Sequence, residues 1–382
     1  MRNVYIIGAG MTVFGRHSDR SLRDLGGEAC MIAIHDAGIK PKDIEAGYCG
    51  NALGSVLQGE TGVGQNVFWE VGINGIPVIN VENACATGST ALHQAWQAVT
   101  GGFYDMVIVV GVEKAVMPKG TVLNVGAGEL EVKLGEVFPG HFSLIAQKHM
   151  ELYGTTREQM AQVSVKNHYN GTLNPYAQFQ KLFTIEEVLN SPLIAGPLTL
   201  YSCCPNSDGA AALILCSEKK ARQANGKAVK VAASVLTTGM YENMRDISTW
   251  EVEKRAASEA YRRASLGPED MDVVEVHDAF TICEIIHYEG LGLCPTGEGG
   301  RLIDEGATKL GGRIPVNPSG GLLSKGHPVG ASGVAQVVEI VWQLRGQAGQ
   351  RQVRDARVGL AQIMGGNKEG DTRACTVHIM SV

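Results

Sequence analysis

The chain repeats itself. Ala37-Gly38-Ile39-Lys40-Pro41-Lys42-Asp43-Ile44-Glu45-Ala46 resembles Ser265-Leu266-Gly267-Pro268-Glu269-Asp270-Met271-Asp272-Val273-Val274, and each stretch follows a helical pattern and leads through a Pro-x-Asp turn into a strand. Further on, Cys85-Ala86-Thr87-Gly88-Ser89-Thr90-Ala91-Leu92 aligns with His327-Pro328-Val329-Gly330-Ala331-Ser332-Gly333-Val334. In both, a chemically reactive residue type opens a helix of small residues. Two matches in the same order point to a duplicated half. The length of 382 residues fits two such units.

Within each half, strand-like and helix-like segments alternate. Val4 to Ile7, Met106 to Val110 and Val358 to Ile363 read as buried strands, and Leu22 to Ala37 reads as an amphipathic helix. The alternation predicts a mainly parallel sheet with helices on both faces. The boundaries read as 1–114 with 201–235 for the first half, 115–200 for an inserted loop region covering a site, and 236–382 for the second half. With 44% hydrophobic residues and 49 glycines, the composition suits a tightly turned α/β protein. A net charge of −6 offers no general attraction to nucleic acid or anionic membranes. The nine cysteines show no CxxC repeat or Cys/His ligand spacing, which argues for reduced thiols, no structural zinc motif and a cytoplasmic setting. The apolar start is too short for a signal-peptide core, no segment has the length of a membrane span, and the ending carries no evident targeting signal.

Three residues carry candidate chemistry. Cys85 follows the short strand Val78 to Val81 and precedes a helix, where unsatisfied amides and the dipole favour a thiolate. The alternative is a small buried hydrophobe. His327 sits in Gly320-Gly321-Leu322-Leu323-Ser324-Lys325-Gly326-His327-Pro328, a glycine-rich turn that suits a proton carrier or oxyanion donor, or a helix cap. His277 ends the strand Val273 to Val276, where α/β proteins bind ligands, or is a plain strand-end histidine. Asp278 reads as the cap of a helix starting near Thr281 or as a group orienting a neighbouring imidazole, Gly365-Gly366 as a close-approach turn or a plain one, and Cys203-Cys204 as structural.

Together these segments resemble the thiolase superfamily, in particular the sterol-carrier-protein-2-type thiolases and their bacterial and archaeal acetyl-CoA acetyltransferase-like relatives. The likeness rests on Asn83-Ala84-Cys85-Ala86-Thr87-Gly88, on His277-Asp278-Ala279-Phe280 with Tyr288 to Cys294, and on Asn317-Pro318-Ser319-Gly320-Gly321 with Gly326-His327-Pro328. Lys166-Asn167-His168, Asn174-Pro175-Tyr176 and Cys203 to Ala212 complete it, so nearly the whole chain is covered in order. The resemblance implies a layered αβαβα core of two similar halves. It implies cleavage of a 3-ketoacyl-CoA by free coenzyme A, or the reverse condensation, in acyl-CoA metabolism such as β-oxidation. Cys85 would carry the acyl group, His327 and His277 would form one oxyanion site, and the amides of Cys85 and Gly365 the other. Asn317, Ser324 and Gly326 would bind substrate. Coenzyme A would be substrate or product, with no tightly bound cofactor and no metal. The resemblance further implies a homodimer or dimer of dimers, and a small OB-fold, zinc-containing partner as a companion. The acyl group could be acetoacetyl, branched or steroid-derived, or aryl as in benzoylsuccinyl-CoA.

The sequence departs from the family in one respect. The second catalytic cysteine of many thiolases is Ile363 here, and the alternative cysteine after the His-Asp pair is Ala279. Proton transfer then falls to His277 or His327. The β-ketoacyl synthases, which share a Cys/His/His set, and a subunit active only with its partner are the competing readings.

Overall fold

The Pro-x-Asp echo survives as geometry. The amide of Lys40 donates to Asp43 Oδ2 and that of Gly267 to Asp270 Oδ2, each at 2.8 Å, so both turns are stapled by the same bond. The computed structural model describes residues 2–117, 128–224, 228–240, 246–366 and 371–382. The part of the expected insertion at 118–127, and the smaller gaps within both expected halves, lie outside the described residues.

Eleven strands are described: β1 (Val4–Met11), β2 (Ala46–Gly50), β3 (Val78–Val81), β4 (Met106–Lys114), β5 (Leu193–Ala195), β6 (Leu198–Thr199), β7 (Asp208–Ser217), β8 (Val229–Thr237), β9 (Val273–Glu275), β10 (Val358–Gly365) and β11 (Ala374–Ser381). Nine of them run in the order β3-β2-β4-β7-β1-β8-β11-β10-β9, and β5 and β6 form a separate hairpin. The centre of the row is a narrow seam. β1 meets β8 at only two positions, Tyr5 with Lys230 and Ile6 with Val229. On either side of that seam the pattern repeats: β2 lies parallel to β4, and β9 lies parallel to β10.

The expectation of a mainly parallel sheet is corrected. The pairs β4–β7, β7–β1, β1–β8, β8–β11 and β11–β10 are antiparallel. Local alternation betrays only the crossovers near each edge, whereas β7 returns from far along the chain to β1 and β4, and β11, which follows β10 directly, is antiparallel to it and reaches back to β8.

Helices sort into three layers around the two half-sheets. Leu22–Ala37 packs on one face of β1, β4 and β7 through Leu25, Ala29, Ala33 and Ile34. Its Ser21 cap accepts the Asp24 amide at 3.1 Å, and Gly38 ends it in the left-handed region. In the middle lie Thr87–Thr100 and Val329–Leu344, the two helices of the duplicated motif. The second of these is apolar nearly all round and buried, which suits a helix sandwiched between sheets. On the far face, Glu251–Ala264 and Thr281–Gly290 cover the second half-sheet. The result is the layered αβαβα arrangement with two similar halves.

Candidate active site

The two central helices begin against each other. A Cβ on Gly88 would lie 2.3 Å from the Gly330 carbonyl, and one on Gly330 would lie 2.8 Å from the Gly50 carbonyl. Only glycine permits that approach, and it draws Cys85 and His327, from opposite halves, into one place.

Cys85 sits on a strained elbow between β3 and its helix. Ala84 is left-handed at φ 49, a conformation that costs an alanine about 1–2 kcal/mol, and Thr87 pins it. The Thr87 hydroxyl accepts the Asn83 amide at 2.7 Å and donates to the Ala84 carbonyl at 2.6 Å. The turn of Gly365 closes the elbow from the second half. A Cβ there would lie 2.8 Å from the Cys85 nitrogen, so the glycine is a steric necessity.

His327 is oriented by Ser332. The Ser332 hydroxyl has one proton, which it donates to the Pro328 carbonyl at 3.0 Å, so at 2.7 Å it accepts from His327 Nδ1–H. That tautomer leaves Nε2 with a free lone pair. His277 is fixed through its backbone: its amide donates to Gln362 Oε1 at 3.2 Å, and its carbonyl accepts from His287 Nε2 at 3.0 Å. His287 in turn meets Glu253 at 2.7 Å, both fully buried. A sulfur or ring nitrogen from each of Cys85, His277 and His327 lies within 4.8 Å of the other two. The Nε2 atoms of both histidines are buried with no hydrogen-bond partner among the described residues.

These atoms open into a cavity of about 270 Å³. Phe138, His141 and Phe142 from one helix, Ile194 from the β5–β6 hairpin, and Trp250 and Phe280 from the second half make most of its wall. Phe142 and Phe280 stack at 4.5 Å. Burial governs the electrostatics. It pushes the Cys85 thiol up to about 12, against the lowering effect of its own amide and that of Gly366. Burial likewise lowers His327 to about 4, and burial with the neighbouring His327 takes His277 well below the ordinary histidine range. The resting site is therefore a neutral thiol between neutral imidazoles. The thiolate expected from the helix start does not form unaided, because desolvation outweighs the dipole.

Several sequence-derived assignments change place. Asn317, Ser324 and Gly326 do not line the cavity; they sit behind it. Asn317, left-handed at φ 54, accepts the Val276 amide at 2.9 Å and donates to Glu284 at 2.7 Å, which holds the His277 strand end. Ser324 donates to the Phe179 carbonyl at 2.7 Å, and Gly326 makes room for the Ser207 hydroxyl. Asp278 accepts the amides of Leu322 and Leu323, so it caps the helix Gly321–Lys325, not the one at Thr281. Beside Gly365, it is the amide of Gly366 that reaches the Cys85 sulfur. Cys203 and Cys204, read as structural, both face the cavity, and Cys204 lies close enough to Cys85 for their charges to interact. His141, Phe142 and Trp250 carried no signal beyond residue type; only the fold brings them to the site.

The thiolase N-terminal domain family matches residues 4–219, and the thiolase C-terminal domain-like family matches residues 233–376. The chain is 44% identical to an acetyl-CoA acetyltransferase of Methanothermobacter thermautotrophicus over the full length of both. It is 40% identical to the benzoylsuccinyl-CoA thiolase subunit BbsB of Thauera aromatica, covering 96% of this chain and 95% of that one. Among solved structures, the Ltp2-ChsH2(DUF35) aldolase superposes with a TM-score of 0.83 at 26% identity, over 98% of this chain and 97% of that chain.

Proposed function

Since this chain belongs to the thiolase family and is an acyltransferase of thiolase type, we propose that it cleaves a 3-ketoacyl-CoA with free coenzyme A through an acyl-enzyme on Cys85. The observation that carries this reading is the convergence of the Cys85 sulfur with a ring nitrogen of each of His277 and His327, whose Nε2 atoms are buried without a partner among the described residues.

The neutral resting thiol supports a concerted start. His327 Nε2, its lone pair free because Nδ1–H is tied to Ser332, takes the proton as the sulfur attacks the keto carbonyl. The oxyanion that forms is held by the amides around Cys85 and the Gly365 turn and by His277. Breaking the Cα–C bond leaves the acyl group on sulfur, and the proton moves from His327 to the departing α-carbon. Coenzyme A then gives its thiol proton to the imidazole and attacks the thioester, and the proton returns to Cys85. Condensation is the same path reversed. Asn317, Ser324 and Gly326 act here by fixing the loops that carry the two histidines.

The aromatic wall favours a bulky or aryl acyl group over acetoacetyl. A panel of acetoacetyl, branched and aryl 3-ketoacyl-CoA esters with free coenzyme A tests both points. Thioester loss is expected to be fastest with the bulky members and to fall by at least about 10³-fold in Cys85→Ser. Retained thiolysis in that variant overturns the reading. His327→Ala and His277→Ala are expected to lose α-carbon proton exchange; if both keep it and Cys204→Ala loses it, Cys204 is the missing acid/base. The edge strand β3 supports pairing with a second copy in a homodimer or dimer of dimers. The subunit name of one relative and the two-protein title of the aldolase support a second polypeptide, for which an OB-fold protein is the proposed type. Full turnover by the isolated chain would remove the need for that second polypeptide. Among the described residues no helix is long and apolar enough to cross a membrane.

A further inference from the structure

We propose that Cys85, His277 and His327 also form a capture site for a soft or borderline divalent cation such as Zn²⁺, which reversibly blocks the nucleophile. The proposal rests on the preceding reading only for calling Cys85 the nucleophile; the binding itself follows from the donor set.

One sulfur and two imidazole nitrogens are the ligands zinc and cadmium prefer over magnesium or calcium. The donor atoms lie within 4.8 Å of one another. In a tetrahedral zinc site neighbouring donors are roughly 3.3–3.7 Å apart, given metal distances of about 2.0–2.3 Å. Drawing in by about an ångström needs only small rotations of the Cys85 side chain and the two rings. His327 already has the support a metal-bound histidine requires, its Nδ1–H held by Ser332 while Nε2 is bare. Nε2 of His277 is likewise buried without a partner among the described residues. A buried nitrogen left without a partner is costly, and a coordinating cation would supply that partner. Glu113 and Glu82 act electrostatically on the Cys85 sulfur, and each, when ionised, favours a cation there.

These ligands come from three distant segments, so no short spacing in the sequence marks the site. The fourth coordination position faces the cavity, open to water or to an incoming thiol. Binding breaks the Sγ–H bond, releases that proton to solvent and forms an Sγ–metal bond; no electron moves, and a chelator reverses it. The cation consumes the group that would attack substrate, so it acts as an inhibitor.

The test uses the full chain and needs no turnover. Micromolar Zn²⁺ is expected to slow iodoacetamide labelling of Cys85, followed by peptide mass spectrometry, by about tenfold or more, and a chelator should restore it. Cd²⁺ should add a thiolate charge-transfer band that is absent in Cys85→Ser and weakened in His277→Ala and His327→Ala. Ser332→Ala, which removes the support behind one ligand, should weaken protection by roughly 10–100-fold. Unchanged labelling under Zn²⁺, or a Cd²⁺ band that persists in Cys85→Ser or is undiminished in both folded histidine variants, overturns the proposal. Labelling protection together with retained thiolysis in Cys85→Ser would uphold the metal site while refuting the acyl-enzyme reading.

Discussion

On the Cys85 side of the cavity one carboxylate, Glu113 at the end of β4, gathers the wall. It accepts the amides of Ala52 at 2.9 Å and Leu53 at 3.2 Å, the Asn51 side chain at 2.9 Å, and the amide of Gly330, from the other half, at 3.0 Å. Among the described residues no lysine or arginine pairs with it. On the His277 side, buried carboxylates are cross-linked to cations. Lys166 meets Glu284 at 2.7 Å and Lys325 meets Glu275 at 3.4 Å. Asn167 ties Glu284 to Asp278, both at 2.7 Å. The difference teaches that one wall is held by neutral donors alone, whereas the other adds buried cations; burial raises the carboxyls of both, taking Asp278 to about 7 and Glu275 upward even beside Lys325.

Removing a cation should break the second wall hardest. Lys166→Met strands Glu284 and the neighbouring Asp278 without their positive partner, and a loss of about 3–5 kcal/mol is expected in denaturant unfolding. A loss under about 1 kcal/mol would show that the two walls do not differ as described.

The pH dependence of stability sharpens the first wall. Burial pushes Glu113 up from 4.5 to about 7, against the pull of its N–H donors. The folded pKa lies above the unfolded one, so the contribution present below about 4.5 is lost as pH rises through about 7, a swing of about 3 kcal/mol. Glu113→Gln turns an amide donor towards donors and is expected to be less stable than the wild type at pH 5, by about 1–3 kcal/mol. That gap should close by pH 8, as the wild type pays for its ionised carboxylate. Parallel stability curves for the two proteins would refute the contrast.

The smallest effect concerns the histidines. His327 is held by one hydroxyl, His277 by two backbone bonds with His287 and Glu253 behind them. Ser332→Ala is expected to cost about 1 kcal/mol in transition-state stabilisation, read as a roughly five- to tenfold fall in kcat with KM little changed. A change in KM alone would mean that Ser332 shapes the cavity and does not set the tautomer.

What the sequence disclosed follows the same division. The helix Leu22–Ala37, the strand Val78–Val81 and both Pro-x-Asp turns were legible because caps, apolar periods and turn residues act within a few positions. Cys85 and His327 were legible because the glycines that let their helices touch lie beside them. The antiparallel return of β7 was not, nor the pairing of Lys166 with Glu284, nor the gathering role of Glu113. Each depends on partners far along the chain, and a buried ion pair leaves no period. At Asn317, expected from the resemblance to bind substrate, the side chain is engaged by the Val276 amide and Glu284, partners that no local pattern discloses. At Cys85 a local rule, the helix dipole, was overridden by burial that only the assembled fold imposes.

The pairing of β1 with β7 has a consequence for the newborn chain. β1 ends at Met11, and its partner is complete only at Ser217. The first half-sheet therefore cannot close until the intervening stretch has left the ribosome. At about 5–20 residues per second, on the order of ten seconds separate the emergence of Cys85 from that of Ser217. Throughout that interval the thiol has neither its elbow nor its cavity, and in water its reactivity is that of an ordinary cysteine. The order in which the chain is made thus leaves the Cys85 thiol open to solvent and oxidants until the first half-sheet can close.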